Sequence, residues 1–247
     1  MTGPVMITGF HRSGTSAVAR AFHGAGLDLG TDLLGAEPAN PYGHFEDEHA
    51  IAAHDSILAT ESLSWKSTSP LLDRAVASRT IRQYLESRSA EQSTLWGVKD
   101  PRLCLFLAEW VAEEPDAEIV FVVRPPGPAI ASLLRRHARR FVDTDGIDPS
   151  DLAFWRDPDL GLKLWCHYHE QALPTLLAHT KTTVINYANA QESDRQIRHT
   201  ISRLGLDGDA ANPFDRSLGR DDTAWVHDLA LRDRARSLWH SLEKLNS

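Results

Sequence analysis

Short, unbroken apolar runs alternate along this chain with longer segments whose apolar residues recur every three or four positions. The first kind reads as strand covered on both faces, the second as amphipathic helix. Residues 4–8 form the first run, and the periodic segment 15–26 follows it after a glycine-bounded turn. Residues 27–48 are rich in Gly, Pro, Asn and Asp and read as loop, with helical periodicity resuming over 47–58. A second strand is expected at 94–99 and a helix at 103–112. The clearest strand is EIVFVV at 118–123, followed by a helix over 127–141 and loop-like sequence over 141–160. A helix at 160–179, the strand TTVINY at 182–187, a helix at 191–204 and an amphipathic tail helix at about 223–245 complete the pattern. Strands alternating with helices predict an α/β fold of three layers, with a mostly parallel central sheet flanked by helices. No repeat or linker interrupts it, so residues 1–247 are expected to form a single domain.

Charge narrows the possible partners. A formal net charge of −8 argues against broad nucleic-acid binding, which leaves a basic footprint, but not against a local pocket for a small anion. The one basic run, Arg135 to Arg140, reads as a solvated helix face that also enriches anions nearby. Cys104 and Cys166 sit in apolar helical runs and read as buried small hydrophobes. The N-terminus lacks the apolar core of a signal peptide, and no run reaches the ~18–20 apolar residues of a membrane span. The expectation is a cytoplasmic protein with no membrane span, its oligomeric state open. Of the 12 histidines, His49 and His54 are five apart and His167 and His169 two apart. Neither spacing puts two rings on one helical face, so no metal is expected.

The strongest chemical signal is Gly9-Phe10-His11-Arg12-Ser13-Gly14-Thr15-Ser16, between the first strand and the first helix. A helix N-terminus offers unpaired N–H groups and partial positive charge, and glycines let the backbone curl around phosphate oxygens. Ser13, Thr15 and Ser16 add hydroxyl donors. The spacing is nearly that of a Walker A loop, which makes the expected fold P-loop-type. The Walker lysine, however, is replaced by Thr15, and the nearest cation is Arg12. A nucleotide triphosphatase uses that lysine to reach the β- and γ-phosphates. A donor with one 5′-phosphate carrying a sulfuryl group has neither, and needs a cation beside the bridge where charge builds.

HRSGTS resembles the 5′-phosphosulfate loop of the sulfotransferases that use 3′-phosphoadenosine 5′-phosphosulfate (PAPS). Their second motif, an arginine ending a buried strand and a serine eight residues later, is similar to Arg124 and Ser132 here. The resemblance implies PAPS as co-substrate, without a metal. It implies that Arg12, Ser13, Gly14, Thr15 and Ser16 hold the 5′ end and Arg124 and Ser132 the 3′-phosphate. Trp96 to Arg102 (WGVKDPR) is similar to the Lys-Asp-Pro strand end of tyrosylprotein and bacterial sulfotransferases, which gives Lys99 the role of stabilising the transferring sulfuryl. Tyr187 resembles a tyrosine near the adenine, although Tyr-Ala-Asn stands here in place of Tyr-Glu-Asp. The similarity covers about residues 4–206, and a glycine-rich 3′-phosphate segment is missing from the C-terminal part, where Arg216 or Arg220 could substitute.

A hydroxyl acceptor must lose its proton as it attacks sulfur. Glu46 is the favoured base, because Asn40-Pro41-x-Gly43-x-Phe45-Glu46 looks like a segment of bacterial members. Glu37, His44 and Asp100 are the other candidates. The acceptor is expected to be a small-molecule or glycan hydroxyl, bound by loops within 30–46, 60–75 and 141–160, with Trp65 and Trp155 as candidate lining residues. Two other classes stay open: a P-loop kinase or nucleotide hydrolase using Mg·ATP, with Ser16 on the metal and Asp100 as the Walker B carboxylate, and a non-catalytic nucleotide-binding protein.

Overall fold

The computed structural model describes residues 3–37, 40–89, 95–143, 152–210 and 227–245, and the side chains of 140–143 are not among those described. In chain order the elements are β1 (Val5–Thr8), α1 (Thr15–Gly24), α2 (Glu48–Ala59), α3 (Arg74–Ser89), β2 (Gly97–Lys99), α4 (Leu103–Glu113), β3 (Glu118–Val123), α5 (Pro126–Asp143), α6 (Ala153–Arg156), α7 (Leu160–Ala178), β4 (Thr182–Asn186), α8 (Ala190–Arg203) and α9 (Leu229–Lys244). The described strands form one sheet in the order β2-β1-β3-β4, and every pairing is parallel.

The continuous apolar runs have the cause their sequence suggested: each sheet face packs on helices. Val5, Ile7, Val120, Val122 and Ile185 point to one core, shared with Val18 and Phe22 of α1 and Ile197 and Ile201 of α8. Met6, Val98, Ile119, Phe121, Val123 and Val184 point to the other, with α4, α7, α9 and the first helices after the loop. Those two cores separate three layers. Cys104 and Cys166 are buried free thiols in the second core.

Three elements differ from the sequence pattern. The polar helix α3 was not anticipated. It buries Ala77, Ile81, Tyr84, Leu85 and Arg88, one face at helical spacing, and Asp73 accepts at its start from the Ala75 and Val76 amides. Strand β2 is shorter than expected, three residues beginning at Gly97. Within 141–160 the described part is not all loop, because α5 runs on to Asp143 and α6 adds one turn. The proposed start of the tail helix at 223, and Arg216 and Arg220, lie outside the described residues.

Topology then places the chemistry. The register pairs Ile7 with Lys99 across β1 and β2, and Thr8 with Phe121 across β1 and β3. The carboxyl ends of the strands therefore lie side by side, at a crevice where the strand order turns away on both sides of β1. The residues that follow them are Gly9–Gly14, Asp100, Arg124 and Tyr187.

Candidate active site

Residues 9–14 leave β1 and turn into α1 through three positive φ angles: 148° at Gly9, 65° at Arg12 and 100° at Gly14. A Cβ at Gly9 would stand 2.1 Å from the Val122 carbonyl oxygen, and one at Gly14 would stand 2.5 Å from the Tyr187 ring. Both glycines are thus required by close approach as well as by φ. Arg12 in the left-handed region is a strained conformation for a residue with a side chain, held by Arg124, whose Nη1 donates to the Arg12 carbonyl at 3.2 Å. The Ser13 amide donates to the Phe10 carbonyl at 3.1 Å, inside the loop's own turn. The amides of Gly14, Thr15 and Ser16, at the N-cap and first turn of α1, are left without an intrahelical acceptor. The Ser13 hydroxyl is fully buried and has no hydrogen-bond partner among the described residues.

At the end of β2, Lys99 is 1 % exposed and joins two segments. Its Nζ donates to Ser16 Oγ at 3.1 Å and to Glu46 Oε1. Glu46 arrives from the loop before α2, where Asp47 takes the N-cap position and accepts from the His49 amide. Burial pushes the Glu46 carboxyl above its ordinary range and Asp100 adds to the rise, while Lys99 opposes it. A carboxylate raised in this way takes up a proton more readily than an exposed one.

A second group of cations gathers on the other side of the loop. Arg12 Nε donates to Ser132 Oγ of α5 at 3.1 Å. Burial, with Arg136, Arg124 and Arg135 close by, lowers the Arg12 guanidinium to about 10. Four arginines from three segments thus lie near one another, with Glu37 bonded to Arg136 at 2.8 Å among them.

The sequence-derived residues converge with two qualifications. Around the loop of residues 12–16, Lys99, bonded to Glu46, meets Ser16 on one side, while Arg12 contacts both Arg124 and Ser132. Tyr187 covers Gly14, at the loop itself. Asp100 is the residue whose surroundings leave it no room as a base. It is fully buried, accepting from His54 Nδ1 at 2.8 Å and from the Arg102 amide at 2.8 Å. Against burial, which raises it, Arg102 and His54 hold its carboxyl well below the usual range. Trp110 Nε1 can only donate, and does so to His54 Nε2 at 3.0 Å, so the His54 proton sits on Nδ1 facing Asp100. Trp65 lies at the edge of the site, its ring 4.5 Å from that of His11. Trp155 is largely exposed. In the sequence Arg136 reads only as part of a basic run that enriches anions nearby, not as a partner of Glu37, and the place of His54 beside Asp100 was missed because it gains its partners only by folding.

No family model matches the chain, and no curated protein matches it. Solved structures do. The sulfotransferase STF1 from Mycobacterium tuberculosis H37Rv matches at 15% identity over 100% of this chain and 77% of its own, with a TM-score of 0.52. Sulfotransferase STF9 from Mycobacterium avium matches at 12% identity over 96% and 68%, with a TM-score of 0.50. A sulfotransferase domain from the curacin biosynthetic pathway matches at 13% identity over 98% and 96%, with a TM-score of 0.46. The fold is thus α/β of P-loop type, with a parallel sheet between helical layers. Within that class it is the fold of the bacterial sulfotransferases. Among the described residues no helix is long and apolar enough to cross a membrane.

Proposed function

We propose that the chain works as one sulfotransferase domain, moving the sulfuryl group of PAPS to a hydroxyl of a small molecule or glycan by in-line transfer. The observation that carries this reading is Lys99, a buried cation joining Ser16 of the phosphate loop to the Glu46 carboxylate. In this reading Lys99 is the charge stabiliser and Glu46 the base, both beside the loop. In this scheme the amides of Gly14, Thr15 and Ser16 hold the 5′-phosphate, with the Ser13 and Thr15 hydroxyls alongside. Arg124 and Ser132 hold the 3′-phosphate. Arg12, bonded to Ser132 and lying on the loop, spans both ends and neutralises charge on the bridging oxygen. Tyr187 closes the loop's outer side toward the adenine. Glu46 takes the acceptor proton as oxygen attacks sulfur, the bond to the 5′-phosphate breaks, and Lys99 stabilises the sulfuryl between them.

The kinase reading asks Ser16 and Asp100 to face a magnesium ion. Ser16 accepts from Lys99 and Asp100 is taken up by His54 and Arg102, which favours a site served by protein cations. Calorimetric titration tests the donor: adenosine 3′,5′-bisphosphate binds without Mg²⁺ and more tightly than Mg·ATP. The opposite preference overturns the reading. Transfer of labelled sulfate to a panel of hydroxyl acceptors then separates an enzyme from a non-catalytic binding protein.

A further inference from the structure

Each sulfuryl transfer to a hydroxyl leaves one proton behind, and Glu46, whose side chain is 10% exposed and bonded to Lys99, meets little water. Beyond it lies His44, 5% exposed, and beyond that Glu37, 37% exposed. His44 Nδ1 stands 3.9 Å from Glu46 Oε1, and His44 Nε2 stands 3.6 Å from Glu37 Oε2. The imidazole thus lies between two carboxylates of its own loop, and the one at its far end, Glu37, meets solvent. Its Nε2 is buried and has no hydrogen-bond partner among the described residues. A buried polar atom left so is destabilising, and a small shift of Glu37 would satisfy it. Glu37 is itself steadied by Arg136 Nη2 at 2.8 Å.

We propose that His44 and Glu37 carry away the proton that Glu46 takes from the acceptor, a role that rests on Glu46 being the base of a sulfotransferase. In the transfer step the acceptor O–H bond breaks, its proton going to Glu46 and its electron pair forming the new O–S bond. The bond between sulfur and the donor phosphate breaks with its pair staying on the phosphate oxygen. Glu46 then passes the proton to His44 Nδ1, and the proton already on Nε2 leaves for the Glu37 carboxylate and water. Tautomer exchange with water resets the ring when the products leave. The proton departs while the products are still bound, so it cannot return to the ester oxygen.

The surroundings suit a ring that starts neutral. His44 faces Glu46 and Glu37 from its own loop, Lys99 from β2, Arg136 from α5 and Arg12 from the phosphate loop. Burial first, then Lys99 and Arg136, lower it to about 4. At neutral pH one nitrogen is therefore free to accept.

Two measurements test the relay. In the unliganded full-length chain, nitrogen-15 spectra of histidine-labelled protein, assigned by the loss of one signal in His44→Phe, are expected to show the proton of His44 on Nε2. A proton on Nδ1, or a His44 that is charged at neutral pH, overturns the proposal without any need for turnover. In single-turnover mixing with PAPS and an accepted hydroxyl, ester formation and dye-detected proton release keep pace in the natural protein. In His44→Phe and Glu37→Gln, release falls about tenfold or more behind ester formation, whatever the absolute rate, and Glu37→Asp restores the coupling. If release keeps pace in both variants, or if the two rates fall together, His44 only shapes the site and the relay is wrong. A natural protein that forms no ester from PAPS with any acceptor overturns the parent reading, and the spectra still decide the relay.

Discussion

Glu46 and Lys99 are buried opposite charges whose properties depend on each other. Burial raises the Glu46 carboxyl and Lys99 restrains the rise. In its proposed role as base Glu46 must be ionised, so the rate is expected to climb with pH through a value above the ordinary carboxylate range. Glu46→Gln should lower kcat by about 10²–10⁴, measured as ester formed under saturating donor. Lys99→Ala should lower it by about 10²–10³ through lost charge stabilisation. It should also do something a simple loss of contact would not. With its counter-charge gone, the Glu46 carboxyl rises further, and the acidic limb of the rate profile moves to higher pH. An unmoved limb in Lys99→Ala would show that the limb does not report Glu46.

The phosphate loop is the element on which most else depends, and Gly14 is its tightest point. An alanine there meets the Tyr187 ring at 2.5 Å and must hold a φ of 100°. Gly14→Ala is expected to weaken adenosine bisphosphate binding by at least about tenfold in calorimetry, and adding Tyr187→Ala should recover part of the loss, since it removes the clash and leaves the strained φ. The loop was legible in the sequence because its signal is local: strand, glycines, hydroxyls and helix follow one another within 20 residues. Helix α3 was not, because RAVASRTIRQYLESRS is mostly polar, and its buried face rests on Ala77 and the arginine Arg88 as much as on Ile81 and Leu85. Strand β2 shows the converse, a run whose apolar length overstated the strand. The pairing of Glu46 with Lys99 was expected only as two roles in one site. Their direct contact, 53 positions apart in sequence, exists because the loop before α2 folds back to the end of β2.

On the scale of the whole molecule, several histidines are kept neutral by burial. His169, fully buried and donating from Nδ1 to the Trp165 carbonyl, is lowered by burial to about 4, and His44 to the same value. A folded value below the unfolded 6.5 contributes stability that is present above 6.5 and lost as pH falls toward 4. By linkage each is worth up to ~3 kcal/mol. Thermal unfolding should therefore drop steeply between pH 6.5 and 4, and His169→Phe should flatten that drop, while a melting temperature constant over the window would contradict it. The sheet has a last consequence. Arg12 follows β1 and Arg124 follows β3, strands paired in register with no element between them. Adjacent strands stand about 4.8 Å apart wherever they occur. The gap between the two arginine stations is thus set like the jaws of a caliper, by backbone pairing deep in the molecule. On the proposed function, side-chain changes at the rim would alter how firmly the donor is gripped, while the strand spacing beneath it stays as constant as the sheet.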